Sequence, residues 1–294
     1  MDLMQTENGY GVLFIVATPI GNARDMSPRG TDILERVDVI AAEDTRRSAV
    51  LLNKLGIRNK LASNHKFNEH GKARYFIGLL KDGRSVAVIT DAGTPCISDP
   101  GNELIKSAVA EGIRVVGVPG ACAAVTALSV SGFDLSAFVF RGFFPRENAD
   151  RGRLLDQMRR GAARTYVFYE SPKRVMDAVE YFIREAVPCQ MCLCNDLTKL
   201  HETAFRGVPE QVRDQLLAKG EYDKGEFCLV VELDEAYLAP RQEHVVSAEA
   251  LLVDAMVRGD CRAKDAIKKV LADEANTYSK NELYAASLRL KELF

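Results

Sequence analysis

The chain has 294 residues, too many for one ordinary α/β core and enough for two domains with an appendage. Its 47% apolar and 27% charged residues exclude a disordered chain, and a formal net charge of -2 excludes any argument for nucleic acid from overall basicity. No apolar run approaches the ~20 residues of a membrane span, and seven scattered cysteines without a secretory signal predict reduced thiols in a cytoplasm.

The polar opening MDLMQTENGYG reads as a lead-in to the first strand, VLFIVA (12–17), whose continuous apolar character fits burial on both faces. Ser27-Pro28 opens a helix, with serine as N-cap and proline in the first turn. VDVIAAE (37–43) is a second strand, and a helix through Leu51, Leu52 and Leu55 ends at Gly56. SVAVIT (85–90) is a strand, residues near 101–111 a helix, IRVVGV (113–118) a strand, and AAVTALSVSG (123–132) a helix closed by glycine. Strands alternating with helices predict a mostly parallel sheet. Residues 133–147 read as a connector. A second α/β block follows, with strands near 164–169, 189–194 and 227–233. A polar linker with Pro240 precedes three short amphipathic helices over 247–294.

Three Gly- and Pro-bearing loops, TPIGN (18–22), DAGTPCISDPG (91–101) and VPGACA (118–123), each follow a strand. Open α/β sheets bind ligands at the carboxyl ends of their strands, and glycine lets backbone approach a ligand closely. No G-x-G-x-x-G follows a strand and no Walker A sequence occurs, which counts against nicotinamide enzymes and P-loop NTPases.

Glu43-Asp44-Thr45-Arg46 ends the second strand. Its acids suit substrate contact or proton transfer, and equally suit a helix N-terminus with Asp44 as cap. Arg58 to Arg84 holds seven Lys/Arg against two Asp/Glu, and Arg141 to Arg174 nine against four. Such stretches suit phosphate contact or a solvated face. Cys189, Cys192 and Cys194 sit in an apolar strand that places Cys189 on the opposite face from the other two, so core packing is expected and no metal site.

TPIGN, EDTR, SDPG, VPGACA, FYESPKR (168–174), LTKLHE (197–202) and GEFCLVVE (225–232) occur in one order. That order resembles the tetrapyrrole methylase superfamily and, more narrowly, the bacterial small-subunit ribosomal RNA (cytidine-2′-O)-methyltransferase I family, from about residue 12 to the C-terminus. The resemblance implies an α/β, two-domain tetrapyrrole methylase fold with a small C-terminal helix-turn-helix-like appendage. The expected divisions are an N-terminal α/β domain with cofactor loops (12–132), a C-terminal α/β domain closing the cleft (133–234) and the appendage (247–294). It also implies a homodimer, S-adenosylmethionine between the domains, and small-subunit ribosomal RNA, within the 30S particle, as partner. Family cofactor contacts carry over to Pro19, Ala92, Gly93, Thr94, Ile97, Cys122, Ala123, Tyr169, Glu170 and Leu197. Methylating a ribose hydroxyl needs a base, or a cation that lowers the hydroxyl pKa, and the candidates are Glu43, Asp44 and Lys199. Methylation of a small tetrapyrrole and a non-enzymatic RNA-binding module remain the alternatives.

Overall fold

A computed structural model describes residues 6, 9–65, 69–220, 222–238, 247–273, 276 and 278–292. The chain divides into two compact units, Met1–Ala239 and Pro240–Phe294. Most of the opening segment and the linker around Pro240 lie outside the described residues, as do Lys66 and Phe67 of the first basic stretch.

The first unit begins with β1 (Leu13–Val16), α1 (Pro28–Arg36), β2 (Val39–Ala42), α2 (Thr45–Lys54), β3 (Leu61–Ser63), α3 (Glu69–Lys81), β4 (Val86–Ile89), α4 (Asn102–Ala110), β5 (Val115–Val118) and α5 (Ala123–Ser131). The strands form one sheet in the order β3-β2-β4-β1-β5, every neighbouring pair parallel. Alternation divides its core. Phe14, Val16, Ile40 and Ala42 face Ile33, Leu34 and Leu52 of α1 and α2. Leu13, Val39, Ala41 and Val88 face Phe76, Leu80, Leu104 and Ala108 of α3 and α4. Burial on both faces is why these strands read as unbroken apolar runs. The helix ends follow their sequence signals. Ser27 Oγ accepts from the Gly30 amide, Gly56 adopts φ +75, and Gly132 caps α5 in the left-handed region.

The unit continues with β6 (Phe138–Phe143), α6 (Asn148–Arg160), β7 (Thr165–Glu170), α7 (Val175–Arg184), β8 (Cys189–Asn195), β9 (Thr203–Gly207), α8 (Pro209–Lys219) and β10 (Phe227–Leu233). This sheet runs β6-β7-β10-β8-β9; β6 is parallel to β7 and the other pairs are antiparallel. The segment read as a connector thus contains an edge strand, whose register shifts between Phe140 and Phe143. Such an irregularity breaks the period-2 pattern that marks a strand in sequence.

Helices α6, α7 and α8 cover one face of the second sheet, where Phe168, Cys189, Met191 and Leu229 meet Met158, Phe182 and Leu216. On the other face Val167, Cys192, Cys194, Cys228 and Val230 pack against Ala124, Ala127 and Leu128 of α5. Cys189 therefore lies opposite Cys192 and Cys194, as alternation requires. Helix α5 follows a strand of the first sheet but buries its small-residue face on the second, tying the two sheets together.

In the second unit, α9 (Ala248–Gly259), α10 (Ala263–Leu271) and α11 (Lys280–Glu292) enclose a core of Leu252, Ile267, Val270, Leu283 and Ala286. Ser247 caps α9 through the Ala250 amide, and Arg289 pairs with Glu249.

Candidate active site

The loops after β1, β4 and β5 are bound to one another. Thr18 and Gly93 exchange backbone hydrogen bonds of 2.9 and 3.1 Å. Thr18 Oγ1 donates to the Thr90 carbonyl at 3.1 Å, and Thr94 Oγ1 donates to the Ala121 carbonyl at 3.0 Å. Gly93 makes this possible, because it adopts φ +85 and a Cβ there would lie 3.2 Å from Ile20 Cγ2. The three loops also meet the second sheet. The Asn22 amide donates to Thr198 Oγ1 at 3.1 Å, and Ile20 packs on Leu197 and α5.

Between these loops and the second sheet lies a cavity of about 310 Å³, a size that suits a small ligand. Its first-sheet wall holds Ala92, Gly93, Thr94, Ile97, Cys122 and Ala123, and its second-sheet wall holds Tyr169, Glu170 and Leu197. Of the expected contacts, Pro19 alone does not line it; Ile20, buried against α5, takes that place.

Sequence reasoning missed Ser98, Asp99, Phe143, Ser171, Pro172 and the run Gly225 to Cys228, all of which also line the cavity. The run arrives through strand register, with Cys228 opposite Tyr169 on one side and Cys194 on the other. Gly225 has φ +92, and a Cβ there would run into Asp196 Oδ2 and Asn195 Nδ2.

Two lining residues are held by polar partners. Tyr169 Oη accepts from the Ala124 amide at 3.3 Å, at the start of α5, and its ring lies edge-on to Phe140 and Phe143. Burial, reinforced by the neighbouring Cys122 and Cys228, pushes its phenol well above the usual range, so it stays neutral. Glu170, 3% exposed, accepts from Arg174 Nε and Nη2 and from the Ser171 amide.

The three candidates for proton handling have distinct environments. Asp44 is the N-cap of α2 and accepts from the Arg46 amide and guanidinium. Those bonds hold its carboxyl well below the usual range, which makes it a poor base. Lys199 pairs with Asp196 at 2.6 Å and Glu226 at 3.0 Å. Burial works against its charge, but these two partners outweigh burial and raise its pKa, so it remains a cation. Glu43 accepts from Thr90 Oγ1 at 2.7 Å.

The basic stretch around the connector is largely engaged within the fold. Arg151, 4% exposed, donates to Asp177 and to the Pro145 carbonyl, Arg174 holds Glu170, and Arg164 donates to the Leu233 carbonyl. In the first stretch Lys81 pairs with Glu111, while Lys72 lies over the ring of Tyr75, itself 49% exposed. Among the described residues, no three His, Cys, Asp or Glu are grouped to hold a metal, and no helix is long and apolar enough to cross a membrane.

The cavity fits a methyl-donor nucleoside. Small residues leave backbone open on one wall, and Ile97, Leu197 and Phe227 offer apolar surface. Known proteins point the same way. The family of tetrapyrrole (corrin/porphyrin) methylases matches residues 12–212. The ribosomal RNA small subunit methyltransferase I of Halalkalibacterium halodurans is 39% identical over 92% of this chain and 95% of its own. That of Pseudomonas aeruginosa is 40% identical over 95% of this chain and 97% of its own. Among solved structures, uroporphyrin-III-C-methyltransferase from Thermus thermophilus has a TM-score of 0.52 at 20% identity, covering 75% of this chain and 94% of that one. Diphthine synthase has a TM-score of 0.57 at 10% identity, covering 76% and 90%; at such identities the likeness is one of fold. The chain belongs to the tetrapyrrole methylase family, in the group that includes the bacterial ribosomal RNA small subunit methyltransferases I, and its methyl donor is S-adenosylmethionine.

Proposed function

We propose that this chain methylates the 2′-hydroxyl of a cytidine ribose in small-subunit ribosomal RNA, acting on the 30S particle as a cytoplasmic homodimer. The observation that carries the reading is the cavity at the carboxyl ends of β1, β4 and β5, in a chain whose relatives named for this RNA match it over nearly their whole length. Segments 12–132 and 133–234 form the two sides of the cleft, and 247–294 guides the RNA.

When bound, S-adenosylmethionine supplies an electrophilic methyl group on a sulfonium. Ala92, Gly93 and Thr94 would hold it by backbone approach, with Cys122 and Ala123 beside them. Ile97, Leu197 and Phe227 would exclude water, which strengthens every charge interaction inside. Tyr169 fixes the start of α5 against the second sheet and so keeps the two walls in register. Lys199, held as a cation by Asp196 and Glu226, favours an ionised hydroxyl nearby. Alignment of the hydroxyl by these walls supplies much of the acceleration.

The test is to incubate the purified protein with labelled S-adenosylmethionine and 30S particles from a strain lacking the homologous gene. Digestion and mass spectrometry of the nucleosides should find one cytidine carrying a ribose methyl. Label on a base, or none in RNA, would overturn the reading.

A further inference from the structure

With Asp44 engaged as a helix cap and Lys199 held as a cation, the cavity wall itself offers a proton acceptor. Asp99, from the SDPG segment, lines the cavity and is half-buried. It shares one hydroxyl with Glu43. Thr90 Oγ1, on a residue 3% exposed just after β4, donates to Glu43 Oε2 at 2.7 Å and is also a hydrogen-bond partner of Asp99. A threonine hydroxyl has one proton to give and can accept another bond. With both carboxylates ionised it can satisfy only one of them. A proton on Asp99 completes the chain, Asp99 donating to Thr90 Oγ1 while Thr90 donates to Glu43.

We propose that Asp99 takes the proton of the acceptor hydroxyl during methyl transfer, and that Thr90 and Glu43 relay that proton away from the cavity. This rests on the reading above that the acceptor is a hydroxyl. In the step, the substrate oxygen forms a bond to the methyl carbon, and the carbon–sulfur bond breaks with its electron pair left on sulfur. The hydroxyl proton passes to the Asp99 carboxylate. Asp99 then gives a proton to Thr90 Oγ1 as Thr90 gives its own to Glu43, and the three groups return to their starting state by releasing one proton to solvent.

The surrounding charges suit this task. Burial first, and then the neighbouring Glu43, raise the affinity of Asp99 for a proton; the Thr90 hydrogen bond opposes them, Asp91 adds to them, and the net shift is upward. Arg47, the nearby guanidinium, is bound to Asp91 at 2.9 Å. On the second-sheet wall Glu170 is neutralised by Arg174, and Glu226 is paired with Lys199.

The experiment combines two readouts. First, carboxyl 13C resonances of aspartate are followed with pH in the full-length protein without cofactor or RNA. A resonance missing from Asp99→Asn should titrate above the unperturbed ~3.9 and move downward in Glu43→Gln. Second, Asp99→Asn should slow single-turnover methylation of 30S particles by about 10²–10⁴-fold while KM for the particle and the affinity for S-adenosylmethionine stay within about twofold. Thr90→Val should slow turnover and Thr90→Ser restore it, which keeps the idea testable if Asp99→Asn does not fold. An Asp99 titration at or below the unperturbed value, or full activity in a folded Asp99→Asn, would overturn the proposal. Wild-type protein that methylates RNA on a base would instead overturn the functional reading, and the proposal with it, whatever the variants do.

Discussion

Arg174 encloses the carboxylate of Glu170, donating from Nε at 2.9 Å and from Nη2 at 2.7 and 2.5 Å, and Nη2 also reaches the Phe144 carbonyl at 2.7 Å. One guanidinium thus joins the end of β7 to the residue just after β6, and places the neutralised carboxylate in the cavity wall.

Breaking that pair leaves a buried, unpaired carboxylate. Arg174→Met should lower stability by about 3–5 kcal/mol, a drop in Tm of roughly 6–20 °C for a unit of this size. Glu170→Gln combined with Arg174→Met should recover most of the loss, because the orphaned charge is gone. Calorimetry of both variants checks this, and equal losses would mean that packing, not charge, sets the effect.

Gly93 tests the proposed cofactor wall. A β-branched side chain at φ +85 costs about 1–3 kcal/mol in backbone strain, and its Cβ would press on Ile20. Gly93→Val should therefore weaken S-adenosylmethionine binding by at least about tenfold while the protein stays folded. Unchanged affinity in a folded variant would remove this loop from the cofactor site.

Much of the first sheet was legible because a strand buried on both faces must be apolar throughout, as LFIV, VIAA and VAVI are. The three loops could be grouped because parallel strands place their carboxyl ends on one edge. The second wall was harder. Tyr169 was identified through FYESPKR, but Cys228 follows only once β10 is paired with β7 in register, and sequence periodicity does not supply a register. Asp99 sits inside SDPG, where nothing in the neighbouring sequence marks it as a proton acceptor. Its chemistry comes from Thr90 and Glu43, and Glu43 lies 56 residues earlier. The basic count from Arg141 to Arg174 misled for a related reason, since composition cannot tell a solvated arginine from one buried like Arg151.

Arg151 and Asp177 give a pH signature. The pairing with Arg151 holds the Asp177 carboxyl below its usual range in the folded protein. A depressed folded pKa contributes stability above the unfolded value of about 3.9, and that contribution is lost as pH falls through the folded value. The Tm gap between wild type and Asp177→Asn should therefore be widest near pH 6, begin to close as pH falls below about 3.9, and vanish once pH is below the folded value. Asp177 is 54% exposed, so the gap should also narrow in high salt. A gap independent of pH would mean the charge on Asp177 contributes nothing.

Lys72 and Arg74 test the remaining basic surface. Lys72 stands over the exposed Tyr75 ring on α3, an arrangement suited to a phosphate beside a stacked base. If both cations contact phosphate, Lys72→Gln with Arg74→Gln should reduce the log–log salt slope of RNA binding by up to about 0.7–0.9 per contact. Affinity for S-adenosylmethionine should not change. An unaltered slope would make this stretch a solvated face, and Lys66 would be the next residue to neutralise.

The second unit has its own core, closed by Leu252, Ile267, Val270 and Leu283, and its own internal ion pair between Arg289 and Glu249. The described residues that line the cavity belong to the first unit. In the second unit, Arg262, Lys264, Lys268 and Lys269 lie at or within α10, where four cations on so short an element suit contact with phosphate. Lys268 is only loosely paired, at 3.6 Å from Asp265, so a phosphate could compete for it. A chain ending at residue 238 should therefore keep S-adenosylmethionine affinity within about twofold, bind 30S particles more weakly, and methylate them more slowly at limiting substrate than at saturation. Replacing the four cations with Gln in the full chain should reproduce that change in KM if charge is what guides the RNA. Full activity in the shortened chain would refute the guiding role. Loss of cofactor binding would mean that the helices brace the first unit.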